Sequence, residues 1–247
     1  NSNFLFSIIF MMMTAFIVAR GIQSGIEAAS KIMMPILYVI LICIIAYSLT
    51  LPNAMSGVRY YLIPDLEELK IQTLFEGLKQ AFFSLSLGMG TLMTYGSYLK
   101  KNENITSSVA AISLADTSVA FLAGLMVFPL VHFLQYKLNV TEVATAGPPL
   151  IFIVLPQIFH EMGPLLGRIV GGLFFLLVCF AALTSTISLL EVPVAYLVDQ
   201  KKMSRKKVSW AVALLIFIIG LPTMASQGML PALNKLTFYK GQDYLVF

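Results

Sequence analysis

Residues 81–101 read AFFSLSLGMGTLMTYGSYLKK. They lie inside an apolar segment, residues 74–99, long enough to cross a bilayer at about 1.5 Å per residue. Its middle, Ser84-Leu85-Ser86-Leu87-Gly88-Met89-Gly90, is poor material for a continuous helix. Each glycine lowers helix propensity by about 1 kcal/mol relative to alanine, and the serine hydroxyls compete for backbone hydrogen bonds. A break here would free carbonyl and N–H groups that lipid cannot satisfy, so it must be buried in protein or line a polar cavity. Discontinuous membrane helices hold ions and small substrates in this way. The plainer alternative is an unbroken helix whose small residues admit a close neighbour.

Working outward, the 247 residues are 58% hydrophobic and only 11% charged, with a mean hydropathy of +0.87. Soluble domains carry about 25% charged residues. The chain therefore reads as an all-α polytopic membrane protein. Its net charge of +4 resides in short loops and does not point to nucleic acid. Cys43 and Cys179 fall within apolar segments and read as small buried hydrophobes. No cleavable signal peptide is recognisable. A start at Asn1 and an end at Phe247, with a further segment expected to open at 243, lead us to expect a partial chain forming one transmembrane domain.

Spans are expected at 4–19, 32–51, 74–99, 105–135, 167–197 and 208–225. Residues 148–160 hold three prolines in a short apolar run, too short to cross, and suit a re-entrant or surface-packed segment. Loops 20–31, 100–104 and 199–207 carry Arg20, Lys31, Lys100, Lys101, Lys201, Lys202, Arg205, Lys206 and Lys207. The alternating loops are longer and poorer in basic residues, which places the first set on the cytoplasmic side.

Asp116 lies about 11 residues into its span, roughly 16 Å from the cytoplasmic edge. A carboxylate near the bilayer centre is a functional hypothesis by default. Its structural alternative, pairing with a buried base, lacks a candidate, because no Lys or Arg sits mid-span. Thr184 and Ser185 reach a similar depth. Membrane Ser and Thr often bond back to their own helix. Here, however, three spans offer hard oxygens near the midplane, a donor set that suits an alkali cation.

The stretch AFFSLSLGMG…TYGSYLKK resembles the sixth transmembrane segment of the neurotransmitter:sodium symporter family. The likeness extends over nearly all of the chain, from about the fourth segment to the start of the tenth. It implies a leucine-transporter-like helical bundle with a broken sixth segment. It also implies two sodium sites in the complete protein. By this resemblance Phe83 is an aromatic lid over the substrate, and Ser84 and Asp116 are ligands of the first sodium site. Ala181, through its carbonyl, Thr184 and Ser185 are ligands of the second. Ser84, Ser86, Met89, Ser185 and Leu189 fall on substrate-pocket positions, and Gly88 would keep the broken backbone open. Asp199, with Ser97 and Tyr98, matches the cytoplasmic gate. Gln80, Phe83 and Asp243 match the extracellular one. Gly25 and Pro35 bracket a Gly-x9-Pro stretch that unwinds in the family to admit water to the second sodium site; a helix start with a tolerated proline is the plain alternative.

Two departures matter. Many members have Asn where Asp116 stands, and chloride-dependent members have Ser where Ala120 stands. A fixed carboxylate beside sodium can replace chloride electrostatically, so chloride-independent coupling is expected. Met89 is a flexible thioether, compatible with a pocket for bulky apolar amino acids. Glu191 has no role in this scheme beyond pairing or snorkelling. An enzyme is disfavoured: His132 and His160 are the only histidines, His160-Glu161 lacks the second histidine of a zinc signature, and neither Thr184 nor Ser185 has a base at its depth. The resulting expectation is sodium-coupled symport of a small neutral, hydrophobic amino acid across the plasma (inner) membrane. The partners are that amino acid, sodium ions, the bilayer and the missing segments of the same protein. The competing expectation is a truncated chain that inserts but cannot transport.

Overall fold

The computed structural model describes residues 2–63, 69–100, 102–139 and 147–226. Among them every regular element is helical. Packing divides the chain into two units, Asn1–Ser30 with Leu183–Phe247 and Lys31–Ala182. The division falls within two of the long helices.

In the first unit, α1 (Ser2–Ala19) packs against α10 (Arg205–Ser226). The Phe4 and Phe217 rings meet at a tilt, 5.8 Å apart, while the far end of α1 meets Arg205, so the two helices run antiparallel. Ala15, Val18, Ile187, Leu190, Val194, Val208 and Ala213 form the buried seam. The Thr14 and Thr186 hydroxyls lie 3.1 Å apart in it; one donates across, while the other donates to a carbonyl of its own helix, Phe10 or Leu183. After α1 the chain makes a π-helical turn, Ile22–Glu27. Gly25 is needed there: a Cβ would fall 2.1 Å from the Ile17 carbonyl oxygen.

The second unit holds the rest of α2 (Ala28–Ser48), then α3 (Ala54–Leu62), α4 (Ile71–Ser84), α5 (Thr91–Gly96), α6 (Ile105–Leu138), α7 (Gly147–Pro149), α8 (Leu155–Glu161) and the first half of α9 (Leu166–Asp199). Its core joins Ile40, Leu41 and Ile44 of α2 to Leu130, Val131 and Leu134 of α6. Leu155, Ile158 and Phe159 of α8 and Phe174 of α9 complete it. α7, a π-turn at Leu150–Val154 and α8 run on as one helical stretch, with Leu150 and Val154 also buried. The proline-bearing segment at 148–160 thus lays an apolar face on the core. Lys137 pins it from α6, pairing with the Glu161 carboxylate at 3.0 Å and donating to the Glu161 carbonyl.

α3 lies between the spans expected at 32–51 and 74–99, in a charged stretch with no span of its own. Asn53 turns the chain with a φ of 62°, and its side chain accepts a bond from Ser56 at 2.7 Å. The helix then docks on α6. Tyr61 stacks on Phe128 at 5.0 Å, and Gly57 lets the backbones meet, since a Cβ would come within 2.5 Å of the Phe128 carbonyl oxygen.

Among the described residues, three helical stretches, Ile22–Ser48, Ile105–Leu138 and Leu166–Asp199, are long and apolar enough to cross a membrane, and Phe4–Ala19 is a shorter apolar helix. Only 22–33% of residues in the three apolar windows are buried. Cys43 and Cys179, expected to be buried, are both left exposed. Helices that are apolar on nearly all sides yet largely uncovered need lipid or further helices around them.

Candidate functional site

α4 ends at Ser84, residues 85–90 run as successive turns, and α5 begins at Thr91. The N–H groups of Leu85, Ser86 and Leu87 turn back to the carbonyls of Ala81, Phe83 and Phe82 at 3.0–3.1 Å, which closes the end of α4. Two residues redirect the chain. Gly90 takes a φ of 75° and Ser86 a φ of 54°, the left-handed region that glycine enters freely and serine enters at a cost of about 1–2 kcal/mol. Gly88 has no such φ, and a Cβ there would meet nothing within 4 Å. The turning is therefore done on either side of it.

The break brings Ser84 against Asp116 of α6. The serine hydroxyl lies 2.7 Å from Oδ1 and 2.8 Å from Oδ2, its one proton shared between the two carboxylate oxygens. An exposed serine and a half-buried aspartate thus present hydroxyl and carboxylate oxygens at one point, at the negative end of the α4 dipole. Such hard oxygens suit a small cation, which would replace the hydroxyl proton as the carboxylate's partner.

Tyr38, missed in the sequence, supports this part of α6. Ser118 donates to the Ala115 carbonyl at 2.8 Å, leaving its oxygen to accept from the Tyr38 hydroxyl at 3.0 Å. The bond fixes the turn that carries Asp116. Its only sequence signal is a tyrosine inside an apolar span, too common a feature to single out. Tyr38→Phe should leave the fold intact and weaken sodium binding about tenfold, read as a shift in the sodium concentration for half-maximal ligand binding.

Phe83, Gly88 and Met89 line one cavity with Leu78, Lys79 and Phe82, with a volume of ≈ 440 Å³. Its walls are apolar apart from Lys79, whose ammonium pairs with Glu76 at 2.8 Å. Phe83 is exposed over it at 67%. Ser86 is half-buried in the turn, and Gln80 is exposed on α4 one turn before Ser84. Ser97 donates to the Thr94 carbonyl at 2.6 Å, and Tyr98 stands edge-on to Tyr95 at 6.3 Å.

On α9, Ala181 lies one turn before Thr184 and Ser185, and the Thr184 carbonyl accepts from Ser188 at 3.1 Å. Leu189 is exposed a turn further, and Asp199 is the exposed last residue of the helix. Pro35 lies inside α2 and Gly25 inside the π-turn before it. A π-turn is a weak point in a helical ladder and recurs at functional sites. Hydrogen exchange over residues 26–34 should therefore slow when sodium is added; protection indifferent to sodium would remove this stretch from the mechanism. Asp243 and the segment opening at 243 lie outside the described residues.

Glu191 proves to be paired. It is fully buried, and its carboxylate meets the guanidinium of Arg205, which also donates from Nε to the Val18 carbonyl at 3.0 Å. The first residue of α10 thus ties α9 to the end of α1. In sequence the two charges are separated by the basic loop, which hid the partner among Lys201, Lys202, Lys206 and Lys207.

Comparison with known proteins adds a lineage. The model described as the Sodium:neurotransmitter symporter family matches residues 3–247. An uncharacterized sodium-dependent transporter of Bacillus subtilis, YhdH, is 41% identical over 97% of this chain and 52% of its own length. The sodium-dependent serotonin transporter of Drosophila melanogaster is 32% identical over 89% of this chain and 36% of its own. A crystal structure of MhsT in complex with L-phenylalanine aligns with a TM-score of 0.77 at 41% identity, covering 95% of this chain and 51% of that one. The chain spans about half the length of the curated relatives it matches.

Proposed function

Because the chain belongs to the sodium:neurotransmitter symporter family, we propose that it carries part of the machinery for sodium-coupled symport of a small neutral, hydrophobic amino acid across the plasma membrane. The observation that carries this reading is the Ser84 hydroxyl held against Asp116 at the break between α4 and α5. Sodium takes hard oxygen ligands, and this pair supplies a neutral oxygen and an anionic one as the first site. The Ala181 carbonyl, Thr184 and Ser185 supply the second. The apolar cavity beside the break, with Phe83 as lid and Met89 on its wall, fits a hydrophobic side chain; L-phenylalanine bound to MhsT supports that choice. Ser86 stands in the same break, Gly88, with no side chain, leaves the cavity room, and by family resemblance Ser185 and Leu189 fall on substrate-binding positions of their own helix.

Ions and substrate bound together would favour closure on one side and opening on the other. Gln80, Phe83 and Asp243 act at the outer gate, Ser97, Tyr98 and Asp199 at the inner one. The fixed charge of Asp116 beside sodium makes the cycle independent of chloride. Binding of radiolabelled L-phenylalanine to the full-length protein in detergent tests the coupling. Sodium should raise the bound fraction at least tenfold over choline, and equal binding in the two salts would defeat the proposal.

A further inference from the structure

α1 packs chiefly against α10, but side chains also tie it to α9. The Thr14 and Thr186 hydroxyls lie 3.1 Å apart. Further along both helices, Arg205 bridges the Val18 carbonyl to the Glu191 carboxylate. Four residues separate the two ties on α1 and five on α9, a spacing of about 6–7.5 Å. A helix pinned at one point can roll about its axis. Pinned at two such points, it has a fixed roll.

The roll matters because Thr186 directly follows Thr184 and Ser185. At about 100° per residue, Ser185 points about 100° from Thr186 and Thr184 about 160° the other way. With Thr186 turned to α1, Thr184 is directed away from α1 and Ser185 to one side. Burial agrees with this setting: Thr14 is 1% exposed, Thr186 and Thr184 are half-buried, and Ser185 is exposed. A roll of about 20° would carry an oxygen about 5 Å from the helix axis sideways by about 2 Å. A binding constellation tolerates about 0.5 Å.

Neither hydroxyl needs the other for its own hydrogen bond. Thr14 can donate to the Phe10 carbonyl and Thr186 to that of Leu183, each at 3.0 Å. Satisfying two buried polar groups therefore does not account for the bond between the helices, whereas alignment does. We propose that Thr14 is a positioning residue for the second sodium site: by bonding Thr186 it sets the roll of α9 that directs Thr184 and Ser185 at the ion. The proposal rests on the reading of the chain as part of a sodium symporter.

Thr14→Val is a clean test, because Thr186 keeps the Leu183 carbonyl and no buried donor is stranded. Binding of radiolabelled L-phenylalanine to the full-length protein is followed against sodium concentration. T14V should raise the sodium concentration for half-maximal binding about tenfold. The amount bound at saturating sodium and the SDS-unfolding midpoint should stay near those of the unaltered protein. T14S, which keeps the hydroxyl, should restore the unaltered sodium dependence. T186V should match T14V, and T14V/T186V should be no worse than either, since all three lose the same bond. Hydrogen exchange localises the effect: sodium should slow exchange over 183–189 in the unaltered protein and not in T14V. Slowing over 114–119, around Asp116, should persist in both.

Sodium dependence unchanged in T14V would overturn the proposal, as would additive shifts in the double variant. Loss of sodium protection over 114–119 together with 183–189 would mean general loosening and would also overturn it. A collapse of the SDS midpoint in both T14V and T186V would make the pair a packing feature, with the same consequence. L-Phenylalanine binding indifferent to sodium in the unaltered protein would overturn the symport reading itself, and this proposal with it.

Discussion

Glu191→Ala is expected to destabilise the protein by about 3–5 kcal/mol, the usual consequence of removing one partner from a buried ion pair. The carboxylate is fully buried, and its loss strands the Arg205 guanidinium with a single carbonyl, that of Val18. Arg205→Ala should also be damaging, because it removes the guanidinium that meets the buried Glu191 carboxylate. Arg205→Lys should recover only part of the loss: an ammonium cannot present two donors in the fixed fork that spans Glu191 and Val18. The double replacement E191M/R205M is the informative control. If the penalty comes from an orphaned charge, replacing both should restore most of the stability. Unfolding in a mixed-micelle SDS titration would read all four variants. A double variant as unstable as the singles would instead mean that the pair sets packing at the junction of α1, α9 and α10.

Asp116→Asn is expected to have the largest effect on transport. The substitution keeps the shape and one carbonyl oxygen at 116, so the Ser84 contact can persist. What disappears is the negative charge. Attraction between unit charges at about 4 Å is several kcal/mol at a partly shielded site. Chloride-free, sodium-driven uptake by the full-length protein should therefore fall by about 10–100-fold, with the sodium requirement shifted to higher concentration. Uptake that stays intact and insensitive to chloride would refute the idea that this carboxylate takes the place of a chloride ion.

The break was the most legible feature of the chain. Serines and glycines crowded at 84–90 conflict with helix, and the interruption occurs there, between Ser84 and Thr91. The residue that turns the backbone was less legible. The family resemblance pointed to Gly88, yet the left-handed positions are Ser86 and Gly90. Glycine content reports where a helix is weak, whereas the turn's hydrogen bonds decide which residue absorbs the unusual φ. Asp116 stood out because burying a carboxylate in an apolar span is costly enough to demand a reason. Its hydroxyl partner on another helix, 32 residues away, could be inferred only through family resemblance. Tyr38 could not be found either way.

Contacts across long sequence separations were invisible for a general reason. Periodicity shows which face of a helix is apolar but not which neighbour covers it. α3 is the clearest instance: its helix is stabilised by Tyr61 and Gly57 against Phe128, residues more than 60 positions away, and its own sequence reads as a polar linker. The Glu191–Arg205 pair is another, since one partner was hidden in a loop of similar charges.

The central claim is that the oxygens at the α4–α5 break couple sodium to amino acid movement. Uptake of L-phenylalanine into proteoliposomes of the full-length protein, with chloride replaced by gluconate, tests it most directly. The account predicts accumulation that requires an inward sodium gradient, collapses when sodium is equal on both sides, and is nearly lost in Asp116→Asn. Uptake of equal size without a sodium gradient, or unaltered in Asp116→Asn, would contradict it.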